Sequence, residues 1–300
     1  AMKVITNRLR EFMDEIVSEE QSAFILGRLI TDNVLVAFES IHTMRWRKKG
    51  KNYAYAVKLD MMKAYDRVEW SYLEAILLKF GFAANFVRLV MKCVTSVWFS
   101  VQVNGKLLPY FDPSRGLRQG CPMSPFLFLL CAEGFSCLLK HYGVVDRGIG
   151  VNLQAPWVNH LLFADDSLIF MKADSGSAAR LNSILRIYGA ASGQRVNREK
   201  SAIFFSPNTT QGCRQTIKNI LDVHVEAFSE RYLGLTTAVG KITSGTFDHI
   251  GERSRSKMQG WSERLFACAG RETLLKSIIQ AIPTYSMSVF QLTKKVCKSL

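Results

Sequence analysis

The chain has 300 residues, of which 48% are hydrophobic and 21% are charged. This composition supplies a sizeable core, allows more than one domain and excludes an intrinsically disordered chain. The net charge of +14 favours a polyanionic partner, with nucleic acid first, while a basic protein without an acidic partner remains the alternative.

Hydrophobic spacing predicts a mainly helical first part of the chain. The predicted elements are, in chain order, a helix over 3–17, a loop over 21–28, a helix ending in the basic stretch 45–50, a strand over 53–59, helices around 73–80 and 86–97, and a hairpin with strands 99–103 and 106–110. In the second helix we expect one shared face for Val34, Leu35, Phe38 and Ile41. The hairpin is predicted because Asn104-Gly105 is a strong two-residue turn signal.

The second part of the chain mixes helices and strands and ends in a basic helical module. The predicted elements are a buried helix from Ser124-Pro125 to about 140, a hairpin over 161–170, a helix ending near Gly193, a strand over 201–206, and two helical faces around 247–265 and 274–282, the second broken at Pro283. Residues 241–300 carry ten Lys or Arg against four Asp or Glu. We therefore expect an α+β body with a domain boundary near residues 236–245.

Cysteine usage and hydropathy indicate the compartment. None of the seven cysteines forms a CxxC pair, so neither a zinc site nor a disulfide framework is predicted, and a reducing intracellular location, nuclear or cytoplasmic, is expected. The most apolar window, 126–139, is too short to span a bilayer and contains Glu133, so no membrane partner is expected.

Carboxylates at two predicted strand ends are the strongest chemical signal. Asp60 follows the apolar strand 53–59, and Asp165-Asp166 lies between the apolar runs of FADDSLIF, residues 163–170. Oxygen ligands of this kind suit Mg²⁺, and two such ions can assist an in-line phosphoryl displacement. A simple turn for Asp165-Asp166 and a helix cap for Asp60 remain the alternatives.

Seven sequence blocks resemble, in the same order, the reverse transcriptases of LINE-type (non-LTR) retrotransposons, particularly the plant versions. The blocks are QSAFILGRLITDNVLVAFE (21–39), VKLDMMKAYDRVEW (57–70), GLRQGCPMSPFLFLLCAEGFS (116–136), FADDSLIF (163–170), SGQRVNREKS (192–201), RYLGL (231–235) and QGWSERLFACAGRETLLKSIIQAIPTYSMSVF (259–290). The resemblance implies a right-hand polymerase with an antiparallel palm sheet. Residues 1–240 would form N-terminally truncated fingers and the palm, and residues 241–300 a helical, incomplete thumb.

The resemblance also implies an activity, namely RNA-directed DNA synthesis with two Mg²⁺ ions, for which Mn²⁺ can substitute. The partners would be an RNA template, a DNA primer and dNTPs, and the oligomeric state is left open. Asp60, Asp165 and Asp166 would be catalytic, with Asp60 and Asp165 as the principal metal ligands. The nucleotide-binding residues would be Met61, through its carbonyl, Tyr65, which would exclude a 2′-hydroxyl, Gln119, Gly120 and Lys200, near the triphosphate.

Further positions would contact the primer and template. Tyr232-Leu233-Gly234 resembles the primer grip, and Arg118 would contact phosphate. The basic residues that would follow the duplex backbone are Arg253, Arg255, Lys257 and Arg264. Solvent-exposed positions without a nucleic-acid contact are the alternative for each of these charges.

Some features depart from the family pattern. Cys121 stands where the family most often has Asp, and Met123 where it usually has Leu. We expect the chain to be part of a longer protein. An early fingers segment, an upstream endonuclease and a downstream zinc-binding or RNase H region would belong to that protein and are missing from this sequence. The alternatives are a catalytically silent remnant that only binds nucleic acid, an intron maturase, and a palm-like nucleotide cyclase.

Overall fold

The structure, a computed structural model, describes residues 2–50, 53–143, 148–151, 154–226, 231–236, 247–259, 267–292 and 294–299. The helices are α1 (Met2–Ile16), α2 (Ile30–Trp46), α3 (Trp70–Lys79), α4 (Ala84–Thr95), α5 (Ser124–Gly143), α6 (Ser175–Ser192), α7 (Gln211–Leu221), α8 (Asp248–Met258), α9 (Cys268–Leu274), α10 (Thr284–Met287) and α11 (Lys294–Ser299). A 3₁₀ turn covers Tyr65–Arg67, and a π-helical stretch covers Leu275–Ile279. The strands are β1 (Ala54–Leu59), β2 (Gln102–Val103), β3 (Lys106–Leu107), β4 (Ile149–Gly150), β5 (Trp157–Val158), β6 (His160–Phe163), β7 (Asp166–Lys172), β8 (Ala202–Phe205), β9 (Arg231–Tyr232) and β10 (Leu235–Thr236).

The largest sheet is antiparallel and has the strand order β6-β7-β1-β8. In its centre, β1 pairs with β7 so that Leu59 faces Ser167 and Ala54 faces Lys172. The start of β7 therefore lies beside the end of β1, at the same edge of the sheet. This arrangement confirms the predicted α+β fold with an antiparallel sheet.

Three helices cover one face of this sheet. Side chains from alternate positions of β1, among them Tyr55, Val57 and Leu59, are buried against α3, α5 and α6 in the main core. Every residue of α5 from 126 to 136 is buried, as its nearly continuous apolar sequence predicted. Burial of this many apolar side chains supplies the main driving force for folding of the body.

The opposite face of the sheet packs against α2 and the β9–β10 hairpin. Ala54 and Ala56 of β1 and Leu168 and Phe170 of β7 lie in this second core, together with Tyr232. The alternation of side chains along β1 and β7 thus separates two cores. It also places Lys58 and Asp166 on the face that contains the β9–β10 hairpin.

The local predictions are confirmed for most elements, whereas one helix face was wrong and some elements, among them α7 and the β4–β5 pair, were not predicted. The Asn104-Gly105 turn has φ values of 49° and 81°, and α6 ends at Gly193 with φ 78°, as their sequences indicated. In α2, however, Leu35 is 40% exposed, and the buried face is formed by Val34, Ala37, Ile41 and Met44. Helix α7 was not predicted, although the apolar residues of its sequence QGCRQTIKNIL follow helical spacing and Thr210 caps its start.

The C-terminal part is helical where the structure describes it. Phe247 and Ile250 are buried in a small separate core at α8, and the helical run after α9 ends before Pro283, as predicted. Residues 237–246, which contain most of the predicted domain boundary, and Trp261 and Leu265 lie outside the described residues. The division at residue 240 therefore stays a prediction. None of the described helices is long and apolar enough to cross a membrane.

Candidate active site

Two strand ends place the three predicted carboxylates at one edge of the large sheet. Asp60 directly follows β1, and Asp165 and Asp166 lie in the turn between β6 and β7. Residues 163–166, which we call the carboxylate turn, form a two-residue turn closed by pairing of Phe163 with Asp166. Since β1 and β7 are neighbours, Asp60 and Asp166 lie at the same edge, and the charge of Asp60 acts on Asp166.

Asp166 lies within electrostatic range of the other two carboxylates. Burial raises the pKa of Asp166, and the charges of Asp165 and Asp60 raise it further, whereas Lys58 opposes this effect. The Lys58 Nζ lies 3.9 Å from Asp166 Oδ1. Lys58 was not among the predicted site residues, although its position two residues before Asp60 in a strand predicts that both side chains point to the same face.

The donor set fits a hard divalent cation. Three carboxylates within electrostatic range supply the oxygen ligands that Mg²⁺ prefers. Met61 and Val196 form an isolated antiparallel β-bridge. Its hydrogen bonds run from Asn197 N to Asp60 O and from Met62 N to Arg195 O, so they do not use the Met61 carbonyl. Within the described residues, no three His, Cys, Asp or Glu side chains converge as a ready-made metal site. The fit therefore rests on the chemistry of the carboxylates.

Tyr65 lies next to these carboxylates. Its ring stacks on Phe128 of α5, with a distance of 4.8 Å between ring centroids and an interplanar angle of 12°. Burial, followed by the charge of Asp165, raises the pKa of Tyr65 to about 12. The phenol is therefore neutral at physiological pH, and its ring is held rigidly beside Asp165.

The segment that carries Tyr65 is held by backbone hydrogen bonds from residues 116–120, which we call the GLRQG loop. Leu117 N donates to Tyr65 O at 2.8 Å, and Gly116 N donates to Val68 O at 2.8 Å. Gly116 has a φ of 92°, and a Cβ at this position would lie 2.8 Å from Asp66 O. A glycine is thus required for the loop to approach the Tyr65 segment this closely.

The SGQRVNREKS block supports the same segment from another side. The Nε2 of Gln194 donates to Ala64 O at 2.7 Å, and the Asp60 N and O are bonded to Ser201 Oγ and Asn197 N. Lys200 is exposed and lies in the turn between Asn197 and Ser201. The backbone of Asp60 and the turn carrying Lys200 are therefore directly connected.

The GLRQG loop also brings Arg118, Gln119 and Gly120 to the surface near this segment. All three are exposed, and Arg118 and Gln119 border a cavity of about 500 Å³ that also contacts Asp66 and the hairpin residue Phe111. This cavity is lined by aromatic, arginine and amide side chains. Cys121, the unusual residue after this loop, is half-buried with its Sγ 3.5 Å from Met2 Sδ.

The hairpin of β9 and β10, residues 231–236, lies near Asp166; we call it the YLGL hairpin. Tyr232 is buried, and its pKa is raised by burial and further by the charge of Asp166. Leu233 and Gly234 form the turn with φ values of 50° and 81°. Tyr285 Oη donates to Leu233 O at 2.8 Å and so links this turn to the C-terminal helical part.

The basic residues of α8 are exposed. Arg253 borders a cavity of about 400 Å³ together with Gly234 and Tyr285, so it lies beside the YLGL hairpin. Arg255 and Lys257 lie in the last turn of α8, where positive charge favours the helix dipole. Arg264 lies outside the described residues.

Two buried amides near the carboxylate turn were missed as functional residues. Gln21 and Asn33 are 1% and 2% exposed, and both form hydrogen bonds to the segment that leads into this turn. Both lie in the first sequence block that resembles the family, which was their only signal. Their partners lie 143 and 129 residues further along the chain.

Comparison with known proteins agrees with this geometry. A family model described as reverse transcriptase (RNA-dependent DNA polymerase) matches residues 1–237. A protein of transposon TX1 from Xenopus laevis is 34% identical over 202 residues, which are 67% of this chain and 15% of that protein. The Pol polyprotein of the retrotransposable element R2DM from Drosophila melanogaster is 25% identical over 266 residues, 84% of this chain and 24% of that protein.

These relatives confirm the resemblance to non-LTR retrotransposon proteins. The plant-like aspect has support from one partial match, to a mitochondrial protein of Arabidopsis thaliana that is 49% identical over 67 residues, 22% of this chain and 55% of that protein. The chain spans between 15% and 55% of the length of these relatives.

A solved structure shares the fold. Telomerase from Candida albicans, in complex with a fragment of telomeric RNA, superposes with a TM-score of 0.52 at 13% identity, covering 100% of this chain and 50% of that chain. This likeness concerns the fold alone.

Proposed function

We propose that this chain, which belongs to the reverse transcriptase (RNA-dependent DNA polymerase) family, is the polymerase region of a non-LTR retrotransposon protein and synthesises DNA on an RNA template. The observation that carries the proposal is the placement of Asp60, Asp165 and Asp166 at one edge of the antiparallel sheet. The rigid Tyr65 ring beside Asp165 and the net charge of +14 support it.

The proposed reaction is the addition of a deoxynucleotide to a primer. The primer 3′-hydroxyl attacks the α-phosphate of a dNTP, an oxygen–phosphorus bond forms, and pyrophosphate leaves. Members of this family use divalent metal ions, and two Mg²⁺ or Mn²⁺ ions held by Asp60, Asp165 and Asp166 and the Met61 carbonyl would supply charge that activates the attacking oxygen and stabilises the leaving one.

The other residues position the substrates. The Tyr65 ring would contact the sugar of the incoming dNTP. Because this ring stacks on Phe128, it would not move aside for a 2′-hydroxyl and would exclude ribonucleotides. Lys200 would contact the triphosphate, because its turn is bonded to the backbone of Asp60. Gln119 and Gly120 would line the nucleotide and template pocket, since their loop is bonded to the Tyr65 segment.

The primer and duplex would lie along the YLGL hairpin and α8. Tyr232, Leu233 and Gly234 would position the primer 3′ end, which the closeness of Tyr232 to Asp166 supports. The basic residues assigned to the backbone phosphates are Arg118, Arg253, Arg255, Lys257 and, from the sequence alone, Arg264.

We propose RNA as the template and the cell interior, nuclear or cytoplasmic, as the location. The description of the matching family, RNA-dependent DNA polymerase, supports the template assignment. The seven cysteines, all free thiols, support a reducing compartment.

Primer extension with dNTPs and Mg²⁺ on matched RNA and DNA templates tests the proposal. The wild-type chain should extend the primer, and the double variant Asp165→Asn, Asp166→Asn should not. Asp222→Asn is the control, because Asp222 is an exposed residue at the end of α7 whose left-handed conformation Asn tolerates. Retained duplex binding without extension by the wild-type chain would refute polymerase activity and identify a chain that only binds nucleic acid.

A further inference from the structure

We infer that Gln21 and Asn33 are positioning residues, which hold the carboxylate turn in shape and join it to the YLGL hairpin. The inference deepens the proposed function and rests on it, because the shape of the turn affects chemistry only if its carboxylates take part. Both residues act through backbone or side-chain partners and neither touches the reacting atoms.

Gln21 forms hydrogen bonds with both backbone groups of Ala164, the residue before Asp165. Its Oε1 accepts from Ala164 N at 3.0 Å and from Ala23 N at 3.0 Å, and its Nε2 donates to Ala164 O at 3.4 Å. Ala164 has a φ of 53°, a left-handed conformation that a non-glycine residue rarely adopts. The two-residue turn calls for a positive φ at this position, and the Gln21 side chain holds both backbone groups of Ala164 in that conformation.

The loop that carries Gln21 also closes the free edge of the sheet. Strand β6 is an edge strand, and edge strands expose unpaired backbone groups. Leu162 N donates to Glu20 O at 2.8 Å, and Ser22 N donates to Leu162 O at 3.1 Å. The edge is therefore paired immediately before the carboxylate turn, where fraying would displace Asp165.

Asn33 connects this edge to the YLGL hairpin. Its Nδ2 donates to Leu162 O at 2.9 Å, and its Oδ1 accepts from Tyr232 Oη at 2.9 Å. One buried amide thus uses its donor for the strand that leads to the carboxylates and its acceptor for the hairpin assigned to the primer 3′ end. No side chain lacking either a donor or an acceptor can make both contacts.

Metal binding depends on how often the carboxylate turn adopts its observed shape. If the turn adopts its observed shape for only a fraction of the time, the apparent affinity of any ion bound by Asp165 falls by that fraction. Loss of the hydrogen bonds to Ala164 corresponds to a change on the order of tenfold in this population.

The first experiment compares Gln21→Leu with the wild-type chain by amide hydrogen exchange, Mn²⁺ titration followed by electron paramagnetic resonance, and single-turnover primer extension. We expect about tenfold faster exchange at Ala164. The Mn²⁺ dissociation constant should rise, and the rate of primer extension should fall, by about the same factor. Duplex binding should stay unchanged, since the substitution removes no charge from the chain.

A matched control separates positioning from general loss of stability. Tyr72→Phe removes a hydrogen bond of 3.1 Å from Tyr72 Oη to Cys131 O within the helical layer. This variant should lower the free energy of unfolding while leaving Ala164 exchange and Mn²⁺ affinity at wild-type values. Equal effects in both variants would overturn the inference, because the change at Gln21 would then reflect stability alone.

The second experiment is a double-mutant cycle on Asn33→Leu and Tyr232→Phe. If both residues act through the same hydrogen bond, the double variant should extend primers as slowly as the slower single variant. Independent, multiplicative losses would overturn the connection through Asn33.

The outcomes distinguish the inference from the proposed function. A wild-type chain that extends no primer would refute the function, and the exchange and Mn²⁺ data would still decide the inference. Unchanged Ala164 exchange in Gln21→Leu, or faster exchange with unchanged Mn²⁺ affinity, would overturn the inference while leaving the function intact.

Discussion

Replacing Gly116 by alanine tests whether a glycine is what allows the GLRQG loop to approach the Tyr65 segment. The φ of Gly116 is 92°, and its Cβ would lie 2.8 Å from Asp66 O and 3.1 Å from the Asp66 C and Cα. All three contacts are with backbone atoms, which cannot rotate away as a side chain can. Accommodation of the methyl group therefore requires the loop and the Tyr65 segment to separate.

The cost has two parts. A left-handed conformation costs an L-residue about 1–2 kcal/mol. Separation also weakens the hydrogen bonds from Gly116 N to Val68 O and from Leu117 N to Tyr65 O, at about 0.5–1.5 kcal/mol each. We expect Gly116→Ala to lower the free energy of unfolding by about 2–5 kcal/mol.

Gly81→Ala is the matched control. Gly81 has a φ of 84°, but no atom lies within 4 Å of its added Cβ, so only the backbone cost of about 1–2 kcal/mol applies. Urea unfolding of both variants gives the two free energies. In the active chain, Gly116→Ala should also raise the KM for dNTP, since Tyr65 moves. Equal destabilisation by the two variants would refute the close-approach argument.

Three further predictions concern pH, substrate choice and salt. Burial lowers the pKa of His160 from 6.5 to about 4, with Lys140 adding to the effect and Glu20 opposing it. Because the unfolded chain binds the proton more tightly, stability present above pH 6.5 is lost as the pH falls towards 4, by on the order of 3 kcal/mol. Urea unfolding across this range should show the loss, and a His160→Gln variant with the same slope would contradict it. Tyr65→Val should reduce the preference for dNTPs over ribonucleotides on the order of tenfold, measured as the ratio of kcat/KM values, and an unchanged ratio would remove Tyr65 from sugar selection. Arg253→Ala should reduce the slope of log affinity for duplex against log salt by about one, and a wild-type slope would place Arg253 away from the phosphates.

Local chemistry made most elements predictable. The Asn104-Gly105 turn, the end of α6 at Gly193 and the start of α5 at Ser124-Pro125 depend on residues within a few positions of each other. Helix α7 was not predicted although its local signals were present: Thr210 accepts a hydrogen bond from Cys213 N as an N-cap, and the apolar residues Cys213, Ile217 and Leu221 recur at a spacing of four. Leu35 was assigned to the wrong face, because it lies about 100° around the helix from Val34, on the side away from the buried Ala37 and Ile41.

The carboxylates of the candidate site were predictable for a similar reason. Asp60 and Asp165-Asp166 each follow or join apolar strands, and strand ends project polar side chains at the edge of a sheet. Their roles as metal ligands stay a prediction. The sequence could not indicate Lys58 as the partner of Asp166, because the contact depends on which strand pairs with β1.

By itself, the sequence determined most of the helices and turns, the acidic strand ends and the family, because each follows from neighbouring residues or from the order of short blocks. Only the tertiary structure decided what supports the site. Gln21 reaches Ala164 across 143 residues, and Tyr232 reaches Asn33 across 199. Hydrogen bonds over such separations leave no periodic pattern in the chain, since they exist only after sheet pairing and helix packing have brought the partners together.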